Sequence, residues 1–145
     1  MSNAASEKGA ACVGGHQPIA LLGGGTSKVG DPSGKDKTRE LIDINQIKKN
    51  SDFIKNNIEK FSLKGSKIKE IKFIDNASWL DDINYIKFLR EYGKHFSVNK
   101  MLTMDSVNER LKREQQLSFL EFNYMVLQAY DFVELNKREN CIVQF

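Results

Sequence analysis

A short apolar run that ends in three glycines constrains the fold of this chain more than any other feature. Residues 19–22 are Ile-Ala-Leu-Leu, and residues 23–25 are all glycine. A strand that is apolar on both faces is typical of the centre of a parallel sheet, because helices cover both sides of such a sheet. We therefore predict a buried strand over 19–22, followed by a tight glycine turn.

The pattern after this turn alternates between helical and strand periods. An apolar stripe of four isoleucines and Phe61 over residues 44–61 recurs at spacings of three, four and seven, which predicts a helix. Residues 70–75 are predicted to form a second strand, and helical segments are predicted near 83–93 and 101–113. Residues 141–145 are predicted to form a third strand. Such an alternation indicates an α/β fold with a parallel sheet.

The last predicted helix has three polar residues on one face. A capping-box sequence at residues 118–121 marks its start, and the helical pattern continues to about Arg138. At about 100° per residue, Tyr124, Gln128 and Asp131 fall within a wedge of roughly 60°. Apolar residues surround them, which favours a buried face that contacts a polar ligand; a solvated stripe is the alternative.

Composition excludes several classes of protein. The 145 residues are 40% hydrophobic and 28% charged with a net charge of +3, which excludes intrinsic disorder and gives no argument for nucleic-acid binding. No apolar run approaches the roughly 18 residues that span a bilayer. The two cysteines, Cys12 and Cys141, form neither a disulfide framework nor a metal-ligand cluster, which favours a reducing cytoplasm. Residues 1–9 lack periodicity and are expected to be an expression-derived or disordered leader, and 10–145 part of one domain.

Specific motifs identify a family. The glycine turn fails the spacing of both the Walker A and the dinucleotide fingerprints, so alone it is either plain turn chemistry or a ligand site. Four blocks, residues 15–21, 30–35, 93–99 and 118–132, together resemble the catalytic core of bacterial-type tyrosyl-tRNA synthetases. That resemblance implies a Rossmann-like, class I catalytic fold with a parallel sheet and helices on both faces.

The resemblance also implies roles for individual residues. The amino-acid ligand, L-tyrosine, would be held at its ammonium by Asp31, Tyr124 and Gln128 and at its phenol hydroxyl by Asp131. Asn76 matches a polar residue near this pocket. Further matches implied by the resemblance are Lys35 and Arg39, which would contact the pyrophosphate of ATP in the transition state, and Phe119, at a dimer interface.

The implied activity is that of a cytoplasmic tyrosine–tRNA ligase. Such an enzyme forms tyrosyl adenylate from tyrosine and ATP with Mg²⁺, without a tightly bound cofactor, and transfers the tyrosyl group to tRNA(Tyr). The resemblance further implies a homodimer, no membrane partner and no protein-bound metal. The two class I signature segments are absent from this sequence, so we expect a fragment that is inactive alone.

Two alternatives stay open. The related tryptophanyl-tRNA ligases are one, although a carboxylate such as Asp131 is a poor match for the apolar benzo edge of an indole. A non-catalytic dimerisation or interaction module, derived from a synthetase and retaining the surface around Phe119, is the other.

Overall fold

The computed structural model describes residues 16–31, 41–62 and 71–145. The chain divides into two compact units, Met1–Gly24 with Asp43–Asp75 and Gly25–Ile42 with Asn76–Phe145. Among the described helices, none is long and apolar enough to cross a membrane.

The first unit contains a parallel pair of strands with a long helix between them in the chain. The elements are β1 (Ile19–Leu22), α1 (Ile44–Ser62) and β2 (Lys72–Asp75), and β1 pairs with β2 in parallel. Ala20 is buried, and it lies opposite Phe73 in the register. The predicted strand at 19–22, the helix over 44–61 and the parallel pairing are confirmed.

The second unit is helical, and it contains every described residue of the predicted site. Its helices are α2 (Ala77–Leu80), α3 (Tyr85–Glu91), α4 (Val98–Leu102), α5 (Asp105–Lys112) and α6 (Phe119–Glu139). Phe88, Met101 and Val126 form its buried core cluster. Tyr92 and Tyr130 pack against this cluster, and their rings meet edge to face with centroids 4.7 Å apart. The core therefore joins α3 and α4 to the middle of α6.

The structure corrects two of the element predictions. The helical segment predicted at 101–113 is two helices, because Met104 is extended (φ −67°, ψ 139°) and separates α4 from α5. Residues 141–145 are not a strand. Their backbone makes no ladder with another strand among the described residues. Instead the Gln144 side-chain amide donates to the carbonyl oxygen of Phe132, which holds this segment beside α6.

The start of α6 is fixed by its cap and by a buried ion pair. Ser118 and Glu121 form the complete capping box, as predicted. Arg110 of α5 donates from Nη1 to Glu121 Oε1 at 3.0 Å, and both side chains are almost fully buried. Burial raises the pKa of Glu121, but the hydrogen bonds from Ser118 and Arg110 outweigh it, so the pKa lies below its ordinary value.

This lowered pKa predicts a loss of stability in acid. A carboxyl whose pKa is lower in the folded state stabilises the fold above its unfolded pKa, and this contribution disappears as the pH falls through the folded pKa. Glu121→Gln should lower the free energy of unfolding at neutral pH by about 3 kcal/mol, because it leaves the Arg110 charge buried without its partner. Urea unfolding from pH 7 to pH 3 measures the difference in free energy of unfolding between Glu121→Gln and the unsubstituted chain. This difference should become smaller as the pH falls. A difference that is constant over this range would contradict the prediction.

A second prediction concerns the glycine turn. Gly25 has ordinary right-handed backbone angles, yet a Cβ there would lie 2.8 and 2.9 Å from Cδ1 and Cβ of Leu80. Gly25→Ala should therefore destabilise the fold by about 1–3 kcal/mol, since overpacking forces the Leu80 side chain or the backbone to move. Gly93→Ala is the matched control, because its Cβ would approach only Leu89, at 3.3 Å. Thermal unfolding measures the loss of stability in each variant. Equal losses for Gly25→Ala and Gly93→Ala would refute the steric explanation.

Candidate functional site

The side chain of Asn76 connects the glycine turn to the last helix. Its Oδ1 accepts from the backbone N–H of Gly25 at 2.8 Å and of Thr26 at 3.4 Å. Its Nδ2 donates to Thr26 Oγ1 at 3.0 Å and to Asp131 Oδ2 at 2.9 Å. Asn76 is only 1% exposed, and both polar atoms of its side chain are hydrogen-bonded to protein groups. Its burial therefore leaves no side-chain polar atom unsatisfied.

Asp131 lies between two donors in the interior of the second unit. Trp79 Nε1 donates to Asp131 Oδ1 at 2.8 Å, and the Asn76 amide donates to the other oxygen. Burial raises the pKa of Asp131, while the hydrogen bonds from Asn76 and Trp79 act in the opposite direction. Because an ionised carboxylate has about four acceptor positions, these two donors leave it capacity for a further hydrogen bond.

A small cleft of about 90 Å³ places two of the predicted residues together. Asp31 and Tyr124 both line it, and so does Thr26, which contacts Asn76. Gly30, just before Asp31, has φ 88°, a left-handed conformation that glycine adopts without strain. The chain turns at this glycine and presents Asp31 to the cleft, on the same lining as the phenol of α6.

An ion pair holds the short helical turn that follows the glycines. Lys28 ends the turn Thr26–Lys28, and its Nζ contacts both carboxylate oxygens of Asp81 at 2.6 and 2.7 Å. The pair is partly exposed, so it contributes little stability. Its effect is to connect the turn to the end of α2, whose first residues follow Asn76.

The predicted site residues differ in their surroundings. Asp131 is buried and Tyr124 is half-buried, whereas Gln128 is exposed. The predicted burial of the polar face of α6 therefore applies to only part of the wedge. Lys35 and Arg39 lie outside the described residues. Phe119, the predicted interface residue, is 70% exposed on the first turn of α6.

Sequence reasoning did not assign Trp79 or Thr26 to the site. Trp79 stands three residues after Asn76, a spacing that puts both side chains on one face of a helical turn. An indole N–H is a donor that needs an acceptor when buried, and Trp79 is 5% exposed. A buried tryptophan supplies a donor, and a buried aspartate supplies acceptors. The presence of both residues in the sequence was the available signal for this hydrogen bond.

Comparison with known proteins identifies the family. The family model described as tRNA synthetases class I (W and Y) matches residues 9–145. The chain is 59% identical over 130 residues to tyrosine–tRNA ligase of Ehrlichia ruminantium, covering 90% of this chain and 31% of that protein. It is 58% identical over 134 residues to tyrosine–tRNA ligase of Pelagibacter ubique, covering 90% of this chain and 32% of the relative.

A solved structure agrees with these relatives. A C-terminally truncated mitochondrial tyrosyl-tRNA synthetase of Aspergillus nidulans superposes with a TM-score of 0.73 at 31% identity, over 87% of this chain and 38% of that one. The chain belongs to the class I tRNA synthetases of the tryptophan and tyrosine type. Within that class, the relatives described above are tyrosine–tRNA ligases, and the chain spans about a third of their length.

The geometry predicts that Asn76 is far more important for stability than an ordinary capping asparagine. Asn76→Ala should lower the free energy of unfolding by about 2–4 kcal/mol, because it removes a hydrogen bond from buried groups of Gly25, Thr26 and Asp131 at once. Asn84→Ala is the matched control. The Asn84 side chain accepts from the exposed backbone N–H of Lys87, an ordinary N-cap contact, so its loss should cost about 1 kcal/mol. Urea unfolding of both variants tests the difference, and similar losses would contradict it.

Proposed function

We propose that this chain supplies the amino-acid-binding part of a tyrosine–tRNA ligase, and that the whole enzyme forms tyrosyl adenylate and then tyrosyl-tRNA(Tyr). ATP with Mg²⁺ is the second substrate. The observation that supports this proposal best is the buried carboxylate of Asp131, held by Asn76 and Trp79. The family membership and the tyrosine-specific relatives support it independently.

Asp131 is suited to select a phenol. A tyrosine hydroxyl donates to the remaining acceptor capacity of the carboxylate, while phenylalanine offers no donor and would desolvate the carboxylate without a hydrogen bond. The two donors on Asp131 also hold its oxygens at fixed positions, so the acceptor is oriented before the amino acid binds. An indole donates from a different place on a larger ring, which disfavours tryptophan as the substrate.

The other end of the amino acid is proposed to bind at the cleft. Asp31 supplies a negative charge beside the ammonium, and the Tyr124 hydroxyl is a neutral acceptor on the same lining. Gln128, one turn farther along α6, is proposed as a further ammonium contact from its exposed position. This arrangement would direct the carboxylate of tyrosine toward the α-phosphorus of ATP for in-line attack.

Lys35 and Arg39 are proposed to act on the leaving group. Negative charge grows on the pyrophosphate as the adenylate forms, and cations that contact it in the transition state lower the barrier without tightening ground-state binding. This role follows from the sequence resemblance, since both residues lie outside the described ranges.

The assembly is proposed to be a homodimer in the cytoplasm. Phe119 and Leu120 are 70% and 42% exposed at the start of α6, which is a large apolar area for neighbouring residues on a surface helix. Burial of such residues against a second copy would remove them from water, and it would place the interface one turn from Tyr124.

The experiment uses a chimera in which the 130 matched residues of this chain replace the corresponding segment of the Ehrlichia ruminantium ligase. We expect tyrosine-dependent exchange of pyrophosphate into ATP, with no exchange driven by tryptophan. Asp131→Asn should lower kcat/KM for tyrosine by about 10- to 100-fold, since a hydrogen bond to a charged acceptor contributes about 1.5–3 kcal/mol.

The matched control is Asp82→Asn, which changes an exposed aspartate on the same unit and should leave exchange unchanged. Exchange driven by tryptophan would assign the chain to the other branch of its family. Equal effects of the two asparagine variants would show that Asp131 does not select the substrate.

A further inference from the structure

Arg110 is a buried cation on a helix that contributes no residue to the proposed tyrosine site. It is 3% exposed, and its guanidinium makes two different contacts. Nη1 donates to Glu121 Oε1, and Nη2 donates to the carbonyl oxygen of Gln116. One planar group therefore holds both the segment before α6 and the first turn of α6.

Glu121 transmits this contact to the cap of the helix. Its Oε2 accepts from Ser118 N at 3.0 Å and from Ser118 Oγ at 2.8 Å, while Oε1 accepts from Arg110. Both carboxylate oxygens are thus engaged, and Glu121 is 1% exposed. Because Ser118 Oγ also accepts from Glu121 N at 3.2 Å, the start of α6 is held in one orientation.

Glu121 lies on the same face of α6 as the proposed ligand-binding residues. Tyr124, Gln128 and Asp131 follow it at i+3, i+7 and i+10, and the four residues span a wedge of roughly 80°. At a rise of about 1.5 Å per residue, Tyr124 is roughly 4.5 Å along the axis from Glu121. A rotation or translation of the first turn would move the Tyr124 phenol directly.

Stability alone is a weak reason for this ion pair. Burying two charges costs desolvation energy, and replacing such a pair by apolar residues is often neutral or stabilising. The ion pair instead fixes the orientation of the start of α6, since a planar guanidinium fits a carboxylate and a carbonyl oxygen in one arrangement.

We propose that Arg110 is a positioning residue, which acts through Glu121 to orient the tyrosine-binding face of α6. The proposal rests on the proposed function of that face. It predicts that Arg110 variants raise KM for tyrosine and not KM for ATP, because Tyr124 is proposed to contact the ammonium of tyrosine and has no proposed contact with ATP.

The test measures KM for tyrosine and for ATP in pyrophosphate exchange by the chimera. Arg110→Met, which removes the charge and both contacts at similar length, should raise KM for tyrosine about tenfold and leave KM for ATP within about twofold. Arg110→Lys keeps the charge without the planar fork, so it should recover part of the loss. Val107→Ala is the control, because Val107 is fully buried on α5, the helix that carries Arg110. It should lower the Tm with no change in KM for tyrosine.

The outcomes separate positioning from plain stability. Arg110→Met with a lowered Tm and an unchanged KM for tyrosine would overturn the proposal, as would equal rises in KM for Arg110→Met and Val107→Ala. If Arg110→Met does not fold, the same measurement is made on Arg110→Lys. A lowered Tm with an unchanged KM for tyrosine in that variant would likewise overturn the proposal. A chimera without substitutions that shows no tyrosine-dependent exchange would contradict the proposed function and this proposal with it. If the chimera is active and KM for tyrosine does not change in the Arg110 variants, only the positioning role is contradicted.

Discussion

The side-chain amide of Asn76 is the contact on which the rest of the candidate site depends. It satisfies two backbone N–H groups of the glycine turn, the hydroxyl of Thr26 and one oxygen of Asp131. Each of these groups would cost free energy if buried without a partner, so none can move independently. The turn that leads to Asp31 and the helix that carries Asp131 are therefore coupled through one amide.

A comparison of two ion pairs in the second unit shows how burial changes the contribution of a charge to stability. Lys28 and Asp81 meet at the surface, where water screens both charges and the pair adds little stability. Arg110 and Glu121 meet in the interior, where neither charge has water as an alternative partner. The first pair can be lost at small cost, while removing one member of the second leaves an uncompensated charge.

Local patterns in the sequence were sufficient wherever the cause of a structure is itself local. The apolar run before the glycines predicted β1, and the capping box at Ser118 predicted the start of α6, because both signals act within a few residues. The face shared by Tyr124 and Asp131 follows in the same way from helical periodicity.

The failures of sequence reasoning concern contacts between distant segments. Periodicity predicts which residues share a face of a helix, but it does not predict what covers that face. It therefore left open whether Gln128 is buried or exposed, and the structure shows it exposed. The same limit applies to residues 141–145, whose composition favours a strand but which pair with no strand in the described chain. Trp79 was missed because its acceptor, Asp131, is 52 residues away in sequence.

The bond between Trp79 and Asp131 has an optical consequence. Trp79 is the single tryptophan of the chain, and its indole ring is buried with its N–H directed at a carboxylate. The emission of an indole depends on the polarity and charge next to the ring, so the intrinsic fluorescence of this chain comes from a chromophore in contact with the group proposed to select the substrate. Ligand binding at that carboxylate, or a change in its ionisation, should therefore change the fluorescence of Trp79. The change can be followed without a label and without a substitution.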